Sequence, residues 1–295
     1  MKSLSINPDI KPNFREKKLP QIDLTENYKT LYEYLDKFKN RPNKIVLSII
    51  LPLYNEENTI RYVLEVLPQH PCIEIIIVDD CSEDRSLEEI KKVDLPIKLR
   101  IIKHHINRGY GGSIMTGVKY SLGDIIITMD SDGQHSPDDI YNLIEPIINN
   151  KADYAIGSRY LGSYFYTLPL RTRLGESMVE KALQILFGIK IVNNQNGFRA
   201  FKRELIPIFE NAQYKGYAFC TELIIKAKLN NYRVVECPIK VYDREYGKSK
   251  IRLIKLAYDI FFCISQYSAK KLLSLTNKKF IKSFKKVSKY MEKLL

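Results

Sequence analysis

The sequence predicts an α/β fold built on a doubly wound, mostly parallel sheet with helices on both faces. Short apolar runs rich in Ile and Val recur along the chain, as strands buried on both faces require. These runs lie at 45–51, 73–78, 97–102, 124–129 and 153–157. Segments with helical spacing of apolar residues separate them, at 58–67, 84–93, 112–121 and 137–148. Such alternation is typical of parallel sheets, whose ligands bind beyond the carboxyl ends of the strands.

The regions on either side of this alternation are organised differently. Residues 1–24 are polar and irregular, and 25–39 have the spacing of a helix. The later predicted elements are helices at 173–187, 218–229 and 251–267, a strand at 196–202 and an exposed or edge strand at 232–242. We therefore expect an N-terminal arm and helix at 1–44, a main domain at 45–252 and a C-terminal amphipathic helical tail at 253–295.

The formal net charge of +13 is concentrated at the two ends of this 295-residue chain. Residues 1–44 hold ten Lys and Arg against six Asp and Glu, and residues 268–295 hold nine Lys against one Glu. The centre is close to neutral, which argues against a domain that binds nucleic acid. Five cysteines without a C-x-x-C pair argue against a disulfide framework or a zinc site and favour a reducing, cytoplasmic setting.

The termini predict how the protein relates to a membrane. The N-terminus lacks the apolar segment of a signal peptide, and no apolar run reaches the roughly 18 residues of a transmembrane span. In the tail, one apolar stripe lies among lysines and consists of Phe280, Phe284, Val287, Met291 and Leu294. We expect this helix to lie on the cytoplasmic face of an anionic membrane. The alternatives are a basic helix packed on the main domain and a solvated tail.

Two carboxylates follow the apolar run 124–129 directly. Asp130 and Asp132 flank Ser131, and with strand-like alternation their side chains point the same way. Carboxylate oxygens in this arrangement suit Mg²⁺ or Mn²⁺ shared with phosphates. An isolated pair would be weak evidence, because acidic residues are common at strand-to-helix turns.

The ends of four successive predicted strands carry unusual polar segments. These segments lie at 51–57, 78–82, 107–112 and 130–135. The glycines at 107–112 match neither a P-loop nor the dinucleotide-binding glycine pattern. Because the segments share the edge where such sheets bind ligands, they predict a nucleotide pocket with a diphosphate held by a metal ion.

These segments and three later ones contain short motifs. The motifs are P-x-Y-N-E-E (52–57), V-D-D-x-S (78–82), N-x-G-x-G (107–111), D-x-D-G-Q-H-x-P (130–137), G-S-R (157–159), G-F-R-A-F (197–201) and Y-G-K-S-K (246–250). Together they are far more specific than any one of them alone. They resemble the motifs of the family 2 glycosyltransferases, which have the GT-A fold, a Rossmann-like sheet. The resemblance is strongest to the dolichyl-phosphate mannose/glucose synthase branch and runs from 45 to 252.

The resemblance assigns the donor side of the site. It implies that the nucleoside is held by Pro52, Tyr54, Glu56 and Asp80, with Asp79 beside it. It also implies that a divalent metal, Mg²⁺ or Mn²⁺, and the diphosphate are held by Asp130, Asp132 and Gln134.

The resemblance likewise assigns basic residues to the acceptor. Arg159, Arg173 and Ser177 match positions that receive an acceptor phosphate, and Arg244 and Lys250 match a loop that closes over the phosphates. Asp132, Arg159, Arg173 and Arg244 are the expected catalytic residues. A phosphomonoester with a charge near −2 needs several such donors. The alternative for each arginine taken singly is a surface ion pair of little energetic weight.

The chain departs from the family pattern at one place. Related chains usually carry an acidic residue just before the Gln that precedes Gly-Phe-Arg, whereas this chain has Asn193 and Asn194 before Gln195. A carboxylate base or sugar ligand is therefore not expected there. Glu222 matches a family carboxylate near the acceptor, and the alternative for it is a salt bridge on the side of a helix.

The resemblance implies an inverting enzyme that transfers a sugar from a nucleotide-sugar to a polyprenyl or dolichyl phosphate. UDP-GlcNAc or UDP-glucose is the favoured donor, and GDP-mannose is an alternative. Family members often continue into transmembrane helices, whereas no transmembrane span is expected in this sequence. Docking on the membrane surface or a membrane-protein partner would have to take the place of such helices. The competing hypotheses are a family 2 transferase with a non-lipid acceptor and a catalytically silent scaffold that binds sugar nucleotides.

Overall fold

The computed structural model describes residues 26–41, 44–165, 170–244 and 253–291, without the side chains of residues 171, 253, 254 and 275–291. A seven-stranded sheet in the order β3-β2-β1-β4-β6-β5-β7 forms its centre. The strands are β1 Leu47–Leu53, β2 Ile73–Asp79, β3 Lys98–Lys103, β4 Ile125–Thr128, β5 Tyr154–Tyr164, β6 Arg199–Lys202 and β7 Val234–Val241. The helices are α1 Glu26–Asp36, α2 Ile60–Val66, α3 Ser86–Lys91, α4 Gly109–Tyr120, α5 Ile140–Ile148, α6 Leu170–Phe187, α7 Ile206–Glu210, α8 Ala218–Leu229 and α9 Leu253–Met291.

The sheet is mostly parallel, as predicted. β1 pairs in parallel with β2 and β4, β2 with β3, and β5 with β7. Only β6 runs against its neighbours β4 and β5. The carboxyl ends of β1, β2 and β4 therefore meet at one edge, where Leu53 lies opposite Asp79. Because β6 is antiparallel, the residues that precede it reach the same edge.

Two hydrophobic clusters cover the two faces of the sheet. Residues of β1 alternate between them, since Ile49 and Leu51 belong to the cluster with α1, α2 and α5, whereas Ile50 belongs to the cluster with α4, α6, α7, α8 and α9. This alternation is the period of two that a strand buried on both faces shows. The predicted layers of helices on both faces are confirmed.

The differences from the sequence prediction that bear on the site and on the tail concern β5, α4 and α9. β5 continues to Tyr164 instead of ending at 157, because Ser163 and Tyr164 pair with β7 after a register shift, and backbone pairing leaves little trace in hydrophobic pattern. α4 begins at Gly109 rather than 112, so the glycine segment forms its first turn. α9 is one continuous helix of 39 residues rather than two separate segments.

The two ends of the chain contact the main domain. Tyr28, Leu31 and Leu35 of α1 are buried in the same core as β1. Ile260 and Cys263 of α9 are buried in the cluster that contains α8. The predicted arm at 1–24 lies outside the described residues, and so do the side chains of the predicted apolar stripe in the tail. Within the described ranges, no helix combines the length and apolar character that crossing a membrane requires.

Candidate active site

The turn after β4 holds the two predicted metal ligands at the carboxyl edge of the sheet. Gly133 allows this turn because its φ is +77°, a value that L side chains rarely adopt. Ser131 fastens the turn: its Oγ donates to the carbonyl of Pro52 at 2.7 Å, and its own carbonyl accepts from Thr59 Oγ1 at 2.8 Å. The loop that carries Asp130 and Asp132 is thus tied to β1 and α2.

The electrostatics of this pair fit a divalent cation. Desolvation and the neighbouring Asp132 raise the pKa of Asp130 to about 7, and the positive charges of Arg244 and Arg199 offset part of this rise. A bound cation would remove the repulsion between the carboxylates. Among the residues that the structure describes, no group of three or more His, Cys, Asp and Glu could hold a metal ion. Mg²⁺, however, usually takes one or two carboxylates together with substrate phosphates, so Asp130 and Asp132 suffice.

Gln134 connects this turn to the end of β7. Its side-chain amide donates to the carbonyl of Tyr242 at 3.0 Å, and Tyr242 N donates to the carbonyl of Gln134 at 2.8 Å. The side-chain oxygen, which would be the metal ligand, is not used in these bonds. The structure therefore gives Gln134 an anchoring role, and its role as a metal ligand stays a prediction.

Arg244 lies against the acidic side of the site, two residues beyond this anchor. Its guanidinium donates to Asp132 Oδ2 at 2.5 Å and lies 3.7 Å from Glu56 Oε1. The structure thus brings Arg244 together with two residues predicted to bind the donor. Lys250, predicted to accompany Arg244, lies outside the described residues.

The nucleoside side is built from the ends of β1 and β2. Tyr54 is 36% exposed at the rim. Asp79 is fully buried; its Oδ1 accepts from Ser82 N at 3.0 Å, while its Oδ2 has no hydrogen-bond partner within the described part of the chain. Buried carboxylate oxygens normally have a partner. An N–H group of a nucleobase would supply one, which favours Asp79 as the residue that binds the base.

Asp80 differs from its neighbour because protein groups already occupy its carboxylate. Arg108 N and Gly109 N each donate to it at 2.8 Å, and His104 Nδ1 lies 2.7 Å from its Oδ1. Asp80 is buried and holds the first turn of α4. These contacts favour a structural role over the predicted contact with the nucleotide.

An aromatic pair and a glycine lie close to Asp130. Tyr110 stacks on Tyr217 with a centroid distance of 5.4 Å. A Cβ atom on Gly197 would lie 2.5 Å from Asp130 Oδ1 and 2.7 Å from the Tyr110 hydroxyl. Any side chain at position 197 would have to displace the ends of these two side chains, which gives a physical reason for glycine as the first residue of the G-F-R-A-F motif.

The loop before β6 is held by buried protein contacts. Arg199 donates to the carbonyls of Asn194 and Asn196, each at 2.6 Å. Glu236 of β7 accepts from the backbone N–H of Asn193 at 2.7 Å. The segment that differs from the family pattern thus contacts a carboxylate of another strand, which binds its backbone.

The predicted acceptor arginines lie where β5 meets α6. Arg159 forms an ion pair with Glu176, and the hydroxyl of Tyr160 donates to the same carboxylate. Arg173 lies over the ring of Tyr160, 4.4 Å from its centroid. Burial and the Glu176 carboxylate raise the pKa of Tyr160 to about 12. Two of the predicted acceptor residues, Arg159 and Arg173, therefore meet around Tyr160. Ser177 follows Glu176 on the same helix, and its part in the acceptor site stays a prediction.

The sequence comparison decides the family. Residues 48–209 match the family Glycosyl transferase family 2. The chain belongs to this family. It is therefore a glycosyltransferase, as the motifs predict.

Relatives of this family 2 glycosyltransferase include enzymes named for lipid-phosphate acceptors. The UDP-N-acetylglucosamine–dolichyl-phosphate N-acetylglucosaminyltransferase of Methanococcus voltae is 34% identical over 77% of this chain and 98% of its own length. The polyprenol monophosphomannose synthase of Mycolicibacterium smegmatis is 31% identical over 72% of this chain and 82% of its own length.

The fold also matches solved glycosyltransferase structures. Glucosyl-3-phosphoglycerate synthase of Mycobacterium tuberculosis, solved with Mn²⁺, UDP and glucosyl-3-phosphoglycerate, superposes with a TM-score of 0.61. That match covers 76% of this chain and 80% of the other at 17% identity, so it supports the predicted GT-A fold alone.

Glu222 of this glycosyltransferase is a structural residue. Its buried carboxylate accepts from Gln213 N and Tyr214 N at 2.9 Å and from the Tyr267 hydroxyl at 2.6 Å. These bonds join α8 to a loop and to α9. The contacts match the alternative considered from the sequence, since Lys226 also lies 4.0 Å away.

Sequence reasoning missed Glu176 and Tyr110 as members of the site. Glu176 lies three residues after Arg173 in a predicted helix, a spacing that places the two side chains on one face, so this signal was available. Tyr110 belongs to the glycine motif, but its place beside Asp130 depends on how α4 meets the loop before β6. No local pattern contains that contact.

Proposed function

We propose that this glycosyltransferase moves a sugar from a nucleotide-sugar to a polyprenyl phosphate, of the dolichyl type, at a membrane surface. The observation that carries the proposal is the closeness of an acidic and a basic centre. His135 is near both: its Nδ1 is 3.8 Å from Asp130 Oδ2, and the positive charge of Arg159 contributes, after burial, to the lowered pKa of its imidazole. A donor diphosphate with its metal and an acceptor phosphate could therefore occupy neighbouring positions.

The proposed reaction is a single displacement. An oxygen of the acceptor phosphate forms a bond to the anomeric carbon, the bond from that carbon to the diphosphate breaks, and the nucleoside diphosphate leaves with the electron pair. One displacement inverts the anomeric carbon. A divalent cation at Asp130 and Asp132 would supply positive charge to the leaving diphosphate.

The residues of this chain orient the reactants and need not remove a proton. Because the second pKa of a phosphomonoester is about 6, the acceptor is already anionic near pH 7. Burial lowers the pKa of His135 to about 4, which keeps its imidazole neutral near the diphosphate. Arg159 and Arg173 would hold the acceptor phosphate, and Arg244 would contact the donor phosphates beside Asp132.

Exposed apolar side chains support a lipid acceptor. Leu170, Leu174 and Met178 lie at intervals of four residues on α6, the helix that carries Arg173, and all three are more than half exposed. Further exposed apolar side chains lie on α9 at Tyr258, Phe261 and Phe262. Such surfaces are expected where a protein meets a membrane interface. We propose contact with the cytoplasmic face of a membrane through α6 and α9.

The donor is proposed to be UDP-GlcNAc or UDP-glucose. The relative from Methanococcus voltae, named for UDP-N-acetylglucosamine, supports the first. The dolichol-phosphate mannosyltransferase of Pyrococcus furiosus, 32% identical over 70% of this chain and 59% of its own length, keeps GDP-mannose as the alternative.

A donor panel tests the proposal. Radiolabelled UDP- and GDP-sugars are incubated with dolichyl phosphate, detergent and Mg²⁺ or Mn²⁺, with wild type, Asp132→Ala and a control variant of the exposed Asp94, Asp94→Ala. A lipid-linked product from one donor, lost in Asp132→Ala and without metal but kept in Asp94→Ala, is expected. Metal-dependent donor hydrolysis without lipid product would instead favour a non-lipid acceptor. Silence with every donor would favour the scaffold hypothesis.

A further inference from the structure

Glu176 occupies the place in the acceptor region where an anion would be expected. Its carboxylate accepts from Arg159 on one oxygen and from the Tyr160 hydroxyl on the other. The Arg159 and Glu176 side chains are 15% and 11% exposed, so water screens this ion pair only partly. The two oxygens of the Glu176 carboxylate thus accept hydrogen bonds from the same groups that would bind the proposed acceptor phosphate.

The remaining charge of the cluster comes from Arg173. Its guanidinium lies 4.4 Å from the centroid of the Tyr160 ring, and that of Arg159 lies 5.3 Å from the same centroid. Arg173 Nη1 is buried and has no hydrogen-bond partner among the described residues. The described contacts of the cluster thus join two cations to one internal anion, and Nη1 of Arg173 is still available to a ligand.

We propose that Glu176 determines the specificity of the acceptor site by competing with the incoming phosphate for Arg159. This proposal rests on the proposed function. A phosphodiester carries one negative charge, as Glu176 does, and gains little by replacing it. A phosphomonoester carries a charge near −2 at neutral pH. It therefore attracts Arg159 and Arg173 more strongly than the single charge of Glu176 does, and it has more oxygens that accept hydrogen bonds.

The need for such discrimination follows from the proposed setting of the enzyme. At a membrane surface, phosphodiester headgroups of ordinary phospholipids greatly outnumber polyprenyl phosphomonoesters. Two uncompensated arginines beside the exposed apolar residues of α6 would bind these headgroups. With Glu176 in place, only an acceptor of higher charge displaces the Glu176 carboxylate from Arg159.

The test compares wild type with Glu176→Gln and with Glu180→Gln, a control one turn further along α6. Transfer is measured in neutral detergent micelles while dolichyl phosphate is varied, with and without added phosphatidylglycerol, a phosphodiester lipid. Glu176→Gln keeps the shape of the side chain but removes its charge. We expect the KM for dolichyl phosphate to fall about fivefold, the equivalent of a partly buried ion pair of about 1 kcal/mol.

The decisive readout is inhibition by phosphatidylglycerol. We expect it to inhibit Glu176→Gln strongly while wild type, Glu180→Gln and the charge-conserving Glu176→Asp resist it, with the KM for the donor and the thermal midpoint unchanged. If Glu176→Gln raises the acceptor KM and gains no sensitivity to phosphatidylglycerol, Glu176 only holds Arg159 in place and the proposal is overturned. A wild type that forms no lipid-linked product overturns the acceptor assignment itself, a result that the variants cannot mimic.

Discussion

The proposed donor and acceptor sides of this site are built in different ways. The donor side lies at the ends of β1, β2 and β4, where the register of parallel strands places its residues next to one another. The acceptor side depends on side chains of β5 and α6 that meet across two elements, Arg159 with Glu176 and Arg173 with Tyr160. Backbone topology thus determines the first, and long side chains at a partly exposed surface determine the second.

This difference predicts which substitutions affect which substrate. Substitutions on the donor side should reduce turnover with every acceptor. Those on the acceptor side should change the acceptor KM and leave donor binding intact. A substitution that affected both substrates equally would break the comparison.

The largest effect is expected from Asp132→Asn. Loss of one carboxylate at the proposed metal and diphosphate position should reduce kcat by about 100-fold or more, as for other groups that stabilise charge in a transition state. Thermal unfolding should change little, because the substitution also relieves the repulsion that raises the pKa of Asp130. Initial rates at saturating donor and acceptor test this, with Asp94→Asn as the matched control. Wild-type turnover in Asp132→Asn would place the metal elsewhere.

Arg173→Ala should act on the acceptor alone. Nη1 of Arg173 is buried and has no partner in the described part of the chain. The substitution therefore removes a hydrogen-bond donor for the acceptor phosphate and does not leave an internal carboxylate unpaired. The KM for dolichyl phosphate should rise about tenfold or more, the weight of a charged hydrogen bond, while the KM for the donor stays constant. The exposed Lys181 on the same helix provides the control Lys181→Ala. An equal rise in the KM values for the donor and the acceptor would show that the donor and acceptor sides are not separate.

Gly197→Ala tests the contact between the loop before β6 and Asp130. The added Cβ would lie 2.5 Å from Asp130 Oδ1, so the carboxylate must move, and kcat/KM for the donor should fall about tenfold, the effect of a small misplacement of a reactive group. Gly175→Ala is the control, because a Cβ on Gly175 of α6 meets nothing within 4 Å. That variant should keep full activity and gain about 0.4–1 kcal/mol of stability. Equal activity of the two variants would contradict the crowded geometry.

The smallest effect on activity is expected from Asp153→Asn. Asp153 directly precedes β5 and belongs to neither the donor side nor the acceptor side. Hydrogen bonds from Arg233, followed by those from Lys202, hold the pKa of Asp153 well below its usual range. A folded-state pKa that is lowered stabilises the fold above the unfolded pKa, near 4, and this contribution disappears as the pH falls further.

The unfolding free energy of Asp153→Asn should therefore be about 1–2 kcal/mol below that of wild type at pH 7. The difference should shrink below pH about 4, while turnover at pH 7 stays near that of wild type. Urea unfolding at several pH values provides the measurement. A difference that is constant with pH would assign the loss to packing rather than to charge.

The same contrast explains how much the sequence predicts. The strands and the place of Asp130 and Asp132 follow from apolar runs of regular period and from the rule that parallel sheets bind ligands at their carboxyl edge. The hydrogen bonds of Asp80 and Glu222 do not, because each carboxylate depends on which backbone N–H groups another loop brings to it. The extension of β5 was missed for a similar reason, since its exposed residues are held by pairing with β7.

The most direct test of the central claim asks whether the phosphate of the acceptor is required. Wild type and Arg173→Ala are incubated with the active donor and either dolichyl phosphate or dolichol, and the lipid extract is analysed by mass spectrometry. We predict a sugar-phosphate-dolichol product from dolichyl phosphate in wild type, much less of it in Arg173→Ala, and no product from dolichol in either. Equal transfer to dolichol and dolichyl phosphate, or a product that Arg173→Ala leaves undiminished, would contradict an acceptor site built from Arg159 and Arg173.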